Sequence, residues 1–179
     1  MSQGVGASAY DAGWVGQLAE QLASTGYDLQ VVNLSATGAR VSDVLQQQLP
    51  ALLDLLGSRD DDLVTVMAGS NDLFGSRERR TRLQAAFAEL VDRVPTGSVV
   101  ATLPQPSSAA NQANKHIERA ARTGRIVMAD LRVTGPTSWR GRLAGDFFHP
   151  NDDGYAAIAT ALEPTLRTAL ARSWCTPTG

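Results

Sequence analysis

Short β-forming runs alternate with stretches of helical period along the whole chain, which restricts the fold to a parallel sheet crossed by helices. Residues 13–24 place Trp14, Leu18 and Leu22 on one helical face, with Gly26 as the stop signal. Residues 29–34, which include Val31 and Val32, follow as a short strand. Helical period returns over residues 41–56 through Val44, Leu45, Leu49, Leu52 and Leu56, closed by Gly57, and Pro50 should kink or restart that helix. Leu63-Val64-Thr65-Val66-Met67 is a continuous β-rich run of the kind buried in a parallel sheet. Helices over 77–91, 109–122 and 152–171 and strands over 98–103 and 125–129 complete the series. Leu83, Phe87, Leu90 and Val91 should face inward on the first of these helices, and Tyr155, Ile158, Leu162, Leu166 and Leu170 on the last. With no internal repeat, low-complexity tract or linker, residues 1–179 form one domain.

The series begins with a helix, whereas doubly wound α/β domains begin with a strand that lies in mid-sheet. Gly4-Val5-Gly6-Ala7-Ser8, opening directly into a helix, is the kind of loop that follows such a strand. The first strand is therefore expected to be missing from this sequence.

Chemistry concentrates near the C-terminus, in Gly145-Asp146-Phe147-Phe148-His149-Pro150-Asn151. An Asp three residues before a His can supply both the base and the orienting acid of a nucleophilic hydrolase. His149 could equally be a loop histidine before Pro150, and Asp146 a turn residue. The only other histidine, His116, stands beside Lys115 in a polar helical stretch and is expected at the surface. Asn151, Asp152 and Asp153 fit a helix N-cap with first-turn carboxylates rather than a metal cluster. The single Cys175, in the Trp174-Cys175-Thr176-Pro177 tail, excludes an internal disulfide and a multi-cysteine metal site. Trp14 and Trp139 fit core or loop packing better than a pocket wall. Sixteen basic and eighteen acidic residues, net −2, give no reason to expect nucleic acid or an anionic membrane as partner. Arg77-Glu78-Arg79-Arg80 and Asp60-Asp61-Asp62 are expected to be solvated faces. No apolar run approaches membrane-span length, and no signal peptide is visible.

Two further segments join the Asp146–His149 block. Asn33-Leu34-Ser35-Ala36-Thr37-Gly38-Ala39 places Gly38 after the second expected strand, and Gly69-Ser70-Asn71-Asp72 follows the third. Taken singly, Gly38 could be only a turn glycine, and Asn71-Asp72 only a helix N-cap region. Together, in this order, the three segments resemble blocks two, three and five of the SGNH hydrolases, the GDSL-type esterases and lipases, over nearly the whole chain. The resemblance implies a three-layer α/β/α domain with a five-stranded, flavodoxin-like parallel sheet. It implies ester hydrolysis with His149 as general base, Asp146 holding its imidazole, and Gly38 and Asn71 as oxyanion donors alongside the serine's own N–H. Asp72 would be structural, bonding loop amides. No metal or organic cofactor is implied, and the partner would be a small-molecule ester. The modest loops suggest an open site and small esters. Acyl and alcohol specificity and oligomeric state stay open, and so does localisation, with cytoplasm slightly favoured.

Block one departs from the pattern. Gly4-Val5-Gly6-Ala7-Ser8 fits its Gly-x-Gly part, but counting back puts the nucleophilic serine immediately before Met1, and Ser2 is two residues too late. Two accounts compete: a misplaced start, or a true remnant without activity. In the family layout the missing strand lies between the second and third strands. Its loss would orphan backbone groups at roughly 1–3 kcal/mol each, against a total stability of ~5–15 kcal/mol, which favours the misplaced start. The sequence as it stands is expected to lack serine-dependent esterase activity and to be poorly stable. The rival from another class is a degenerate hydrolase that binds an acyl ligand without turning it over. A dinucleotide-binding reading of Gly4-Val5-Gly6 fails for want of a third glycine, a preceding strand and an acidic residue after the second strand.

Overall fold

The computed structural model describes residues 1–57 and 62–174; Asp60, Asp61 and Cys175 lie outside the described residues. Helix α1 (Trp14–Ala23) is followed by α2 (Val41–Asp43), a π-helical turn (Val44–Gln48) and α3 (Leu49–Leu56). Then come β1 (Thr65–Val66), α4 (Ser70–Leu73), α5 (Arg77–Arg93), β2 (Val99–Ala101), α6 (Ser108–Arg122), β3 (Val127–Ala129), α7 (Leu131–Thr134) and α8 (Asp152–Trp174). The strands form a three-stranded sheet in the order β1-β2-β3. Both pairings are parallel, with Thr65 opposite Val99 and Val99 opposite Val127.

Pro50 explains the π turn. It has no N–H to donate to the carbonyl four residues back, so the turn before it widens and Leu49 N–H reaches the carbonyl of Val44. The helix restarts at Leu49, and Gly57, at φ 54°, ends it. The charged run at the start of α5 is exposed at Arg77, Glu78 and Arg80.

Two apolar layers flank the sheet. On one side Val41, Val44, Leu45 and Leu49 meet Leu83, Phe87 and Leu90 of α5 and Ile117 of α6. On the other, Trp14, Leu18 and Leu22 of α1 pack on Tyr155, Ile158 and Leu162 of α8. Strand β2 serves both, because successive side chains point to opposite faces: Val100 joins the first layer, Val99 and Ala101 the second. Sandwiching by helices on both faces is the three-layer α/β/α arrangement.

The expected strand over 29–34 is not formed. Val31 and Val32 are 49% and 62% exposed, and among the described residues no backbone ladder reaches this segment. Side chains hold it instead: Asn33 Nδ2 donates to the Ser2 carbonyl at 2.8 Å, and Gln3 Nε2 donates to the Ser35 carbonyl. A strand exists only where a neighbour accepts its hydrogen bonds. Among the described residues β1 pairs with β2 alone and is two residues long. Between the two, Met1 and Ser2 line a cavity of about 70 Å³ with Ser35, Met67 and Asn71.

Tyr155 ties the N-terminal loop to this frame. Its ring is fully buried and its hydroxyl donates to the Val5 carbonyl at 2.7 Å. Burial pushes the phenol from its ordinary 10.0 up to about 12. The folded value lies above the unfolded one, so this contribution is intact below pH 10 and is lost as pH rises toward about 12. Tyr155→Phe, followed by urea denaturation, should cost about 1–2 kcal/mol at neutral pH, through the stranded carbonyl. The same variant should lose the alkaline decline; an unchanged alkaline limb would contradict the assignment.

Candidate active site

The segment around His149 is a tight hairpin. Leu143 and Pro150 form an isolated antiparallel bridge, and Ala144 N–H donates to the His149 carbonyl at 2.8 Å. At its tip Phe147 N–H donates to the Ala144 carbonyl at 3.0 Å, and Phe147 itself stands at φ 55°. That turn folds Asp146 back onto the residues after it. Its Oδ1 accepts the N–H groups of Phe148 at 3.0 Å and His149 at 2.9 Å, and its Oδ2 lies 2.6 Å from His149 Nδ1. The ring hydrogen bond, then the two backbone donors, hold the Asp146 carboxyl at about 2, below its ordinary 3.8. An ionised carboxylate can only accept, so Nδ1 carries the proton of this contact and Nε2 is the ring nitrogen left outside it. No described residue hydrogen-bonds Nε2 of His149. Both side chains remain partly open, 29% for His149 and 48% for Asp146.

A carboxyl with a depressed folded pKa contributes above its unfolded value and loses that contribution as pH falls through the folded one. The Asp146–His149 pair should therefore persist well below the ordinary 3.8 and fail only toward about 2. Asp146→Asn should remove that acid-side loss in a pH series of urea denaturations; a series superimposable on the unsubstituted chain would count against the pairing.

The N-terminal loop seats directly beneath this hairpin. A Cβ on Gly6, which holds φ 95°, would stand 2.6 Å from the Pro150 carbonyl oxygen and 3.0 Å from the Cβ atoms of Ala144 and His149. Ser8 donates through N–H at 2.8 Å and Oγ at 2.6 Å to the Asp152 carboxylate, clasping the loop to the first turn of α8. Asn151 caps that helix, its Oδ1 accepting Gly154 N–H at 3.0 Å. The two nearest N-terminal serines are thus engaged elsewhere, since Ser2 Oγ accepts from Trp14 Nε1 at 3.1 Å.

The second half of the site lies at the end of β1. Gly69, not Asn71 or Asp72, occupies the N-cap of α4, so the N-cap reading of those two residues is corrected: both sit inside the first turn. This frees their side chains for the loop opposite. One N–H of Asn71 Nδ2 donates to the Ala39 carbonyl at 2.8 Å, leaving its second N–H available. Asp72, 7% exposed, accepts Val41 N–H at 3.2 Å, as its structural reading requires. Burial pushes its carboxyl up, partly offset by that hydrogen bond and by Arg40. These two contacts fix the loop that carries Gly38, whose φ of 77° is left-handed and whose missing Cβ leaves open space.

The two halves meet through aromatic rings. Phe74, the C-cap of α4, lies 5.1 Å from Phe148 edge-on, and Phe148 lies 5.0 Å from the His149 ring at 89°. Gly38, Asn71, Asp146 and His149 are thereby placed in two pairs joined by the Phe74–Phe148 contact, and no described serine hydrogen-bonds the His149 ring. Sequence reasoning missed the aromatic contact, the Ser8–Asp152 clasp and the Asn114 side chain, which bonds both backbone groups of Leu103 at 2.9 Å. Only the adjacent Phe147 and Phe148 gave a local signal, as bulky apolar residues in a turn. His116 is half-buried on α6 rather than fully at the surface, Trp14 is core and Trp139 is a partly exposed loop residue. Among the described residues no three His, Cys, Asp or Glu side chains group as a metal site would need, and no helix is long and apolar enough to cross a membrane.

The sequence model of the GDSL-like Lipase/Acylhydrolase family matches residues 1–157. Among solved structures, TesA superposes with a TM-score of 0.69 at 22% identity, covering 94% of each chain. The lipase Lip_vut3 from a goat rumen metagenome superposes at 0.62 and 18% identity, over 94% of this chain and 92% of that one. At these identities the likeness is one of fold. Among curated proteins none matches the chain significantly.

Proposed function

The chain belongs to the GDSL-like lipase/acylhydrolase family, and on that premise we propose that its site hydrolyses carboxylic esters by serine–histidine–aspartate chemistry. The observation that carries the proposal is the Asp146 carboxylate, 2.6 Å from His149 Nδ1 and locked by two backbone donors. It leaves Nε2 as the base. In the reaction His149 takes the proton of a serine hydroxyl as that oxygen attacks the ester carbonyl, and returns it to the departing alkoxide. Asp146 holds the tautomer and stabilises the imidazolium. The oxyanion is met by the serine N–H, the Gly38 N–H and the second N–H of Asn71.

On this reading the serine would stand at the end of a strand lying between residues 29–34 and β1, which do not pair with each other among the described residues. A strand there would also cover Val31 and Val32. Its end would lie beside the small cavity where Met1 meets Ser35 and Asn71.

The test is to express the reading frame with the codons that precede Met1 and treat the product with a fluorophosphonate. The expected result is covalent labelling of a serine just upstream, with turnover of a short p-nitrophenyl ester. In that protein Asn71→Ala should lower kcat by about 10²–10³-fold, the loss typical of one oxyanion donor. A folded, extended protein that neither labels nor turns over would overturn the enzyme reading and leave a ligand-binding remnant.

A further inference from the structure

Three residues of the N-terminal loop meet three positions that follow closely on His149. Val5 presents its carbonyl to the Tyr155 hydroxyl at 2.7 Å. Gly6 lies against Pro150, where an added Cβ would stand 2.6 Å from the carbonyl oxygen. Ser8 gives both its N–H, at 2.8 Å, and its hydroxyl, at 2.6 Å, to the Asp152 carboxylate. Burial fixes Tyr155 and close approach fixes Gly6, whereas the Ser8–Asp152 contact is exposed and stands on hydrogen bonds alone.

The start of α8 does not require the Asp152 carboxylate, because Asn151 already caps the helix through Gly154 N–H. Asp153 brings a second carboxylate to the same helix end, and among the described residues nothing hydrogen-bonds it. Asp152 is held from two sides instead. Its carboxylate takes Ser8, and its carbonyl accepts Gln17 Nε2 at 3.0 Å. Gln17 stands in the first turn of α1 and also donates to the Ala12 carbonyl, so Asp152 spans the loop from Ser8 to the helix that follows it. The Ser8 hydroxyl, then the Ser8 N–H, hold the Asp152 carboxyl below its ordinary 3.8, and it is ionised at neutral pH. Water would serve both exposed partners if they parted, so stability gives little reason for the contact.

We propose that Asp152 is a positioning residue: through Ser8 it holds the loop of residues 4–8 against the His149 hairpin and so fixes where the base stands relative to the nucleophile. This rests on the ester-hydrolase reading above and adds to it a residue that touches neither substrate nor base. On that reading the serine stands upstream on the same continuous stretch of chain as the loop, and His149 stands three residues before Asp152. One contact therefore sets the spacing of two groups that reach the site on different segments. Proton transfer demands that spacing within a fraction of an ångström, and an error of about 1 Å can lower a rate 10²-fold. Ser8 supplies two donors to one carboxylate, which fixes direction as well as distance.

Two measurements test it, one of them without turnover. The chain has two histidines, so their ring resonances can be followed individually by NMR at one fixed pH. Ser8→Ala and Asp152→Ala should both shift the His149 resonances and leave those of His116 in place. Asp153→Ala, which removes the same charge from the same helix end, should leave both alone. In the extended protein Asp152→Ala should lower kcat with a short p-nitrophenyl ester by about 10–10²-fold, with KM within about twofold. Ser8→Ala, which keeps the N–H donor, should lower it less, and should add nothing once Asp152 is already alanine. His149 resonances unmoved in both variants would overturn the proposal. So would a loss carried by KM, an equal loss in Asp153→Ala, or effects of Ser8→Ala and Asp152→Ala that simply multiply. If the extended protein neither labels with a fluorophosphonate nor turns over, the hydrolase reading falls, and the His149 resonances alone decide whether Asp152 holds the loop to the hairpin.

Discussion

In the protein that carries the nucleophilic serine, His149→Ala is expected to lower ester hydrolysis on the order of 10⁶-fold, and Asp146→Ala on the order of 10⁴-fold. The inequality follows from the geometry. On the proposed mechanism, removing the ring removes the base, and the Asp146 carboxylate then keeps only the Phe148 and His149 N–H groups. Removing the carboxylate leaves the ring in the hairpin but frees the tautomer and the orientation that the 2.6 Å contact imposes. The His149 side chain is not deeply buried, so His149→Ala should unfold in urea close to the unsubstituted protein, whereas Asp146→Ala also gives up the carboxylate's contribution to stability at neutral pH. Initial rates with a short p-nitrophenyl ester decide the matter. Retention of more than about a tenth of the activity in His149→Ala would remove this residue from the mechanism.

Gly6→Ala should be the most damaging single methyl group in the N-terminal loop, costing on the order of 3 kcal/mol. Two costs add at this position. The backbone is at φ 95°, which L side chains rarely adopt, and the new Cβ would meet the Pro150 carbonyl oxygen at 2.6 Å. A built-in control separates them. Gly26 holds nearly the same φ, 97°, but its Cβ would meet nothing within 4 Å. Gly26→Ala should therefore cost only the conformational part, about 1–2 kcal/mol. Equal losses in urea denaturation would show that the close approach to the His149 hairpin is unimportant. A larger loss for Gly6→Ala, accompanied by a changed His149 resonance, would show that this loop sets the position of the base.

Helices were legible because they need only their own residues: the periods ending at Gly26 and Gly57 appear as α1 and α3, and Tyr155 to Leu170 line the buried face of α8. Strands were legible only where a partner stands beside them. Residues 98–103 and 125–129 contain paired strands, shorter than expected, whereas 29–34, equally β-rich, remains unpaired because strand character there depends on a neighbour. The same distinction holds in the site. Asp146 and His149 could be paired on paper because three residues separate them, and a turn closes that distance. Ser8 and Asp152 stand 144 positions apart, so no local pattern announces their contact. Asn71 was singled out by its motif, but its position inside α4 and its hydrogen bond to Ala39 depend on Gly69 taking the cap.

The alternation along β2 has a consequence for how the molecule melts. Val100 is packed in one layer and Val99 and Ala101 in the other, with hydrogen-bonded strands on both sides. Neither layer can loosen without withdrawing contacts from the same three residues, so the two halves should lose structure in a single cooperative transition. The amides of Val99, Val100 and Ala101 would then be the last to exchange with solvent, opening only when the whole chain does.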